Sequence, residues 1–294
     1  MIKNIVTLRF LLFAFLGPAL TLVVSCSGNQ ATGNENENAP ADSSSVSTAV
    51  ESIPVMLPDT FSIMRRALLE AYPSQIKDVA DNKVVMQNGA TIVFDDGQAK
   101  DFLVRLDNSD VEDMFFDIYQ VPDSAPPYLY DPGRSRSEEL YKAMYGHSAA
   151  EVERNLTSVE WFGQNVKFTS INGGADSLRA VARDIQEHPG LAPYLKSSGT
   201  FYWRPVRGSN RMSAHSYGIA FDIGVDKSDY WQWKSGSNDE LKKVDYSNRI
   251  PREIVEIFQR HGFIWGGAWY HFDTMHFEFR PELLLYSKLI NQTE

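Results

Sequence analysis

The sequence predicts an α+β fold: an antiparallel sheet with flanking helices, plus an N-terminal accessory region. Three observations carry that reading. The stretches Gly218–Gly224 and Met275–Phe279 alternate apolar residues with others, the period of strands. Residues 59–72 and 176–187 instead space their apolar residues for one face of a helix. The two kinds follow one another in no repeating strand-helix order, so a doubly wound parallel sheet is disfavoured.

The chain opens with Lys3 and Arg9, the apolar run Phe10–Leu16, a Gly17-Pro18 break and then Val23-Val24-Ser25-Cys26. That is the charged, apolar and cleavage-site order of an export signal. The apolar run is short of the roughly 20 residues that a membrane span needs. Cys26 is the single cysteine of the 294 residues, so it forms no internal disulfide and no thiolate metal site. The end of this segment resembles a bacterial lipobox, which implies a signal over 1–26 and lipidation of Cys26. Ser27 after it implies an exported protein held at the outer membrane and facing the periplasm.

Residues 27–57 are dominated by Ser, Asn, Glu, Gly and Ala, with too little apolar surface to fold, and read as a flexible tether. Residues 58–148 read as an accessory region. Phe61, Met64, Leu68 and Leu69 give a helix over 59–72; Lys83–Gln87 and Thr91–Phe94 flank Asn88-Gly89 as a hairpin; Val111–Tyr119 and Ser137–Tyr145 read as helices. Residues 149–294 then carry strands at 157–162 and 166–170, a helix from Asp176 to Glu187 stopped by Pro189-Gly190, and a helix over 250–261 with Gly262 beyond its end. His261 is expected to meet the carbonyls of that last helix. The net charge of −10 argues against a nucleic-acid partner, and no phosphate-binding glycine loop is present.

The chemistry gathers in Ser213-Ala-His215-Ser-Tyr-Gly-Ile-Ala-Phe-Asp222 and Asp273-Thr-Met-His276-Phe-Glu278. Two imidazoles and a carboxylate, with a further carboxylate close by, are the inventory of a catalytic zinc site. On a strand, Ile219, Phe221 and Ile223 take one face and Asp222 the other. Gly218 lets the chain bend so that His215 can fold back toward Asp222. His276 and Glu278 share the strand face opposite Met275, Phe277 and Phe279, so Glu278 can orient the imidazole. Asp273 falls in the preceding loop, where a general base belongs. Taken singly, each of these residues has an ordinary reading as a cap, an ion-pair partner or a surface group. Their conjunction points to a metal.

These two stretches resemble the signature of the VanY-like D-alanyl-D-alanine carboxypeptidase and L-alanyl-D-glutamate endopeptidase family, zinc peptidases that share a fold with hedgehog domains. The match runs through Ser213, His215, Asp222, Trp265-Gly266-Gly267, Asp273 and His276. The resemblance implies one Zn2+ held by His215, Asp222 and His276, with Asp273 as catalytic base and peptidoglycan stem peptides as substrate. It implies a substrate-binding arginine at Arg204, with Arg207 and Arg211 as rivals, because a guanidinium matches a carboxylate or a developing oxyanion. Ser213, Tyr217 and Trp269 are candidates to hold substrate or line the cleft, and His271 is a candidate for a supporting role. Ala268 stands where the endopeptidase branch carries Asp, and no Gln follows Arg204 as the family pattern has it. Carboxypeptidase and endopeptidase action both stay open, as does a catalytically silent, zinc-containing protein that binds wall or peptide.

Overall fold

Asp59 starts the first helix, α1 (Thr60–Ala71), by accepting a hydrogen bond from the Phe61 amide at 3.2 Å, and Met64, Ala67 and Leu68 bury its inner face. This computed structural model describes residues 59–292, so the export signal, Cys26 and the tether read at 27–57 all lie outside the described residues. The described residues belong to one compact unit. Among the described residues no helix is long and apolar enough to cross a membrane.

A three-stranded antiparallel sheet follows, with β1 (Ile76–Ala80), β2 (Lys83–Met86) and β3 (Thr91–Val93) in that order. The expected hairpin is β2–β3, turning at Gly89 with φ +88°. Strand β1 was not read from the sequence. After α2 (Phe102–Asp107), the helix expected over 111–119 is reduced to a 3-10 turn at Glu112–Phe115. The reason is local competition. Asp110 and Asp113 accept each other's backbone amides at 3.0 and 3.1 Å and both bind Lys100, so these side chains offer the chain an alternative to helical bonding.

Helix α3 (Glu138–Tyr145) is capped by Ser137 as its sequence suggests, and α4 (Ala149–Glu153) is a short addition. Strands β4 (Leu156–Trp161) and β5 (Gln164–Thr169) pair tightly through a two-residue turn in which Phe162 and Gly163 both take positive φ. Helix α5 (Gly174–Gln186) buries Leu178, Val181, Ala182 and Ile185, the expected face.

The central sheet is built from β6 (Ser197–Gly199) and β7 (Ala220–Ile223), then, after α6 (Trp231–Ser235) and α7 (Arg252–Arg260), from β8 (Phe263–Trp265) and β9 (His276–Phe279). Its order is β6-β7-β9-β8, antiparallel throughout. The fold is therefore α+β, as expected. His261 departs from its reading: its ring meets the Asp184 carboxylate of α5 at 2.8 Å, while its backbone amide closes α7. Helix α8 (Pro281–Asn291) packs against α1, and the Tyr72 hydroxyl at the end of α1 donates to Glu282 of α8.

Candidate metal centre

Register does the first part of the assembly. Asp222 on β7 sits directly across from His276 on β9, so their side chains leave the sheet on the same face. His215 arrives from a 3-10 turn, Ala214–Tyr217, whose start is capped by Ser213 Oγ accepting from the His215 amide at 3.3 Å. Gly218 ends that turn at φ +66°, and a Cβ there would lie 2.4 Å from Leu156 Cδ2, so both the backbone angle and the packing favour glycine. The reversal brings His215 back over β7.

The three side chains converge. His215 Nε2 lies 3.2 Å from Asp222 Oδ2 and His276 Nδ1 lies 2.9 Å from Asp222 Oδ1. One donor atom from each falls within 4.8 Å of the others. Tetrahedral zinc with ligands at about 2.0–2.1 Å separates its donors by about 3.3 Å, so this group has the spacing and the chemistry of a metal's ligand set. The outer ring nitrogens point the same way. His215 Nδ1 donates to the Thr200 carbonyl at 2.8 Å, and His276 Nε2 donates to Glu278 Oε1 at 2.9 Å. Each outer ring nitrogen is thereby engaged, which leaves the inner nitrogen beside Asp222 as the atom of each imidazole that would meet an ion.

Electrostatics agree with the geometry. Burial alone would raise the Asp222 carboxyl, but His215 and His276 outweigh it and hold it well below the usual carboxylate range. Burial works against the His276 cation too, yet its bonds to Asp222 and Glu278 push its pKa up to about 10. Glu278 is fully buried. It stays ionised because Arg136 pairs with it, Nε reaching Oε2 at 3.2 Å and Nη2 bonding Oε1, with Arg280 Nη1 adding a contact at 3.4 Å. From there Arg280 binds Glu282, which also receives Tyr72, so buried charges of alternating sign run from the imidazole to α8.

Asp273 lines the same cavity of about 500 Å³ as the three donors. Its amide bonds the Gly266 carbonyl at 3.0 Å, and a Cβ at Gly266 would come within 2.6 Å of the Asp273 carbonyl, which accounts for glycine at that position. Oδ1 of Asp273 is buried and has no hydrogen-bond partner among the described residues. Burial, assisted by Asp222, raises this carboxyl to about 7 against the pull of the two imidazoles. It can hold or release a proton near neutrality.

The other residues singled out from the sequence divide. Arg204 lines the cavity, and its guanidinium meets the Pro205 carbonyl at 3.2 Å and lies over the Tyr202 ring. Arg207 is exposed at the same rim. Arg211 also reaches the cavity, but Glu240 at 3.1 Å and Asp107 at 3.5 Å occupy its guanidinium. Trp269 lines the wall beside His276 and is anchored by Nε1 donating to the Pro132 carbonyl at 2.6 Å. Tyr217 does not line this cleft. Its ring packs among Tyr141, Tyr145 and Trp203, because the turn that presents His215 sends Tyr217 to the opposite side. His271 is buried and bonded to Asp131 at 2.6 Å and to the Glu240 carbonyl at 2.8 Å, which holds the loop before Asp273.

Sequence reasoning missed Arg134, Arg136 and Asp131, which come from the accessory region and brace the site. No local pattern marks them. A second acidic group, Asp96, Asp110 and Asp113, gathers around the Lys100 ammonium at 3.0, 2.9 and 2.6 Å. Searches of curated proteins and of solved structures find no match to the chain. Residues 207–279, which contain all three converging donors and Asp273, match the family model described as D-alanyl-D-alanine carboxypeptidase. The resemblance to the VanY-like D-alanyl-D-alanine carboxypeptidase family is thus borne out over the segment that builds this site.

Proposed function

We propose that the protein is a zinc peptidase that hydrolyses peptidoglycan stem peptides, and that His215, Asp222 and His276 hold one Zn2+. The observation that carries this reading is the convergence of those donors in one cavity with Asp273, a buried carboxyl whose Oδ1 has no hydrogen-bond partner among the described residues. Zinc bound there would polarise a scissile carbonyl and lower the pKa of bound water to about 7.

The chain's own residues supply the rest. Asp273 takes the proton of the attacking water and returns it to the departing amine, a transfer suited to a carboxyl that titrates near neutrality. Arg204 binds the substrate's carboxylate or the developing oxyanion; Arg211 is less suited, since Glu240 and Asp107 already claim it. Trp269 and Tyr230 shape the wall. Glu278 and Thr200 hold the two imidazoles in their working tautomers. The enzyme acts outside the cytoplasm, exported by its N-terminal segment and anchored through a lipid on Cys26; the order of charge, apolar run and cysteine supports that placement.

Digestion of purified muropeptides followed by mass spectrometry tests the proposal and names the bond. Release of terminal D-Ala identifies a carboxypeptidase, and separation of L-Ala from D-Glu identifies an endopeptidase. Intact muropeptides after incubation with zinc-loaded protein would favour the silent binding protein instead.

A further inference from the structure

Tyr230 stands directly across from Asp273. The Trp231 amide donates to the Phe272 carbonyl and the Thr274 amide to the Asp229 carbonyl, each at 2.9 Å, and the two bonds frame Tyr230 and Asp273 as an isolated antiparallel bridge. A pair framed in this way, with no backbone bond of its own, brings its Cα atoms to about 4.5 Å and sends both side chains from one face. Tyr230 and Asp273 accordingly line the same metal cavity.

The hydroxyl of Tyr230 is unengaged and open to the cavity. Tyr230 is half-buried, its hydroxyl makes no hydrogen bond among the described residues, and that oxygen is not one of the sealed polar atoms. Its charged neighbours are Asp273, Arg134, Glu240 and Arg204. Arg134 and Glu240 already answer each other at 2.9 Å, which leaves Asp273 and Arg204 to face a substrate with it. Burial, assisted by Asp273, pushes this phenol well above its ordinary range, so the oxygen keeps its proton and can donate. Edge-to-face contacts hold the ring, with buried Trp231 at 6.2 Å and Trp233 at 5.6 Å between centroids. A donor fixed before substrate arrives needs no reorganisation as charge develops.

We propose that Tyr230 is a catalytic residue whose hydroxyl donates a hydrogen bond to the oxyanion developing at the scissile carbonyl. Attack by water shifts the carbonyl's electron pair onto its oxygen while Asp273 takes the water's proton, so the new negative charge appears beside the face that Tyr230 and Asp273 share. This rests on the peptidase reading above and deepens it: Tyr230 answers the oxyanion, and Arg204 is left for the substrate's carboxylate.

Tyr230→Phe keeps the ring and its contacts and removes only the donor. Cleavage of muropeptides per bound zinc is expected to fall about 100-fold in kcat, with KM within about twofold of the wild type. A phosphinate mimic of the tetrahedral species at the cleaved bond should lose about the same factor in affinity by calorimetry, whereas the product peptide should bind both proteins alike. Wild-type kcat in the variant, a rise in KM alone, or a fall in kcat with phosphinate affinity intact would each overturn the inference and leave the peptidase reading standing. If the wild type cleaves nothing, the peptidase reading suffers, and phosphinate mimics of D-Ala-D-Ala and of L-Ala-D-Glu then decide the inference by calorimetry. Binding to the wild type at least about tenfold tighter than to Tyr230→Phe sustains it; equal dissociation constants, or no binding, overturn it.

Discussion

Arg136 and Glu278 lie 142 residues apart and meet as a fork, with Nε 3.2 Å from Oε2 and Nη2 bonded to Oε1. Glu278 in turn holds His276. The accessory region therefore reaches His276 through one buried carboxylate.

Arg136→Ala should strand Glu278 with only the longer Arg280 contact and the imidazole. Zinc affinity is expected to fall about 10–100-fold, and stability to fall by about 3–5 kcal/mol, as when one partner of a buried pair is removed. Arg136→Lys keeps the charge without the fork and should lie between. Competition with a chromophoric chelator measures the affinity, and wild-type affinity in the alanine variant would show that the fork does not support the site.

Asp273→Asn keeps the shape of the cavity and removes the proton acceptor. Peptide cleavage is expected to drop at least about 100-fold in kcat, with metal content unchanged. Wild-type turnover by this variant would take Asp273 out of the mechanism.

The same carboxyl gives a pH dependence in chelator-treated protein. Its folded pKa is about 7, above the roughly 3.9 of an unfolded aspartate, so the folded state holds this proton more tightly. The stability it contributes is fully present below about pH 4 and is lost as pH rises through about 7. Asp273→Asn is always neutral and should therefore gain on the wild type across that window, by up to about 4 kcal/mol. Urea denaturation between pH 4 and pH 8 reads the difference, and a constant gap would rule out a raised carboxyl.

Tyr72 seals the far end of the charge chain by donating to fully buried Glu282. Tyr72→Phe is expected to cost about 1.5–3 kcal/mol, the range for a hydrogen bond to a charged group. A chain beginning at residue 149 loses Tyr72, Arg136 and Asp131 together, leaving Glu282, Glu278 and His271 without these partners. It should fail to fold cooperatively, and a sharp thermal transition in that fragment would contradict the dependence.

What could be read from the sequence was periodic or close in the chain. The alternation around Asp222 and His276 gave β7 and β9, helical spacing gave α1, α5 and α7, and Asn88-Gly89 gave the β2–β3 turn. Val111–Tyr119 had helical spacing, but Asp110 and Asp113 bound Lys100 and the local amides instead. Helix α8 carried a readable sign in Pro281 at its first position followed by Leu283, Leu284 and Leu285. Arg136 carried none: an arginine whose partner is 142 residues away looks like any surface cation until the fold closes. Tyr217 misled for a related reason. Two residues after His215 in a 3-10 turn, it faces away from the imidazole it follows.

The central claim is that two nitrogens and a carboxylate oxygen, from His215, His276 and Asp222, share one ion. Elemental analysis of purified protein beginning after residue 26 tests it most directly. About one zinc per wild-type chain and almost none in His276→Ala is the expected result; a full equivalent of zinc retained by the alanine variant would contradict the account.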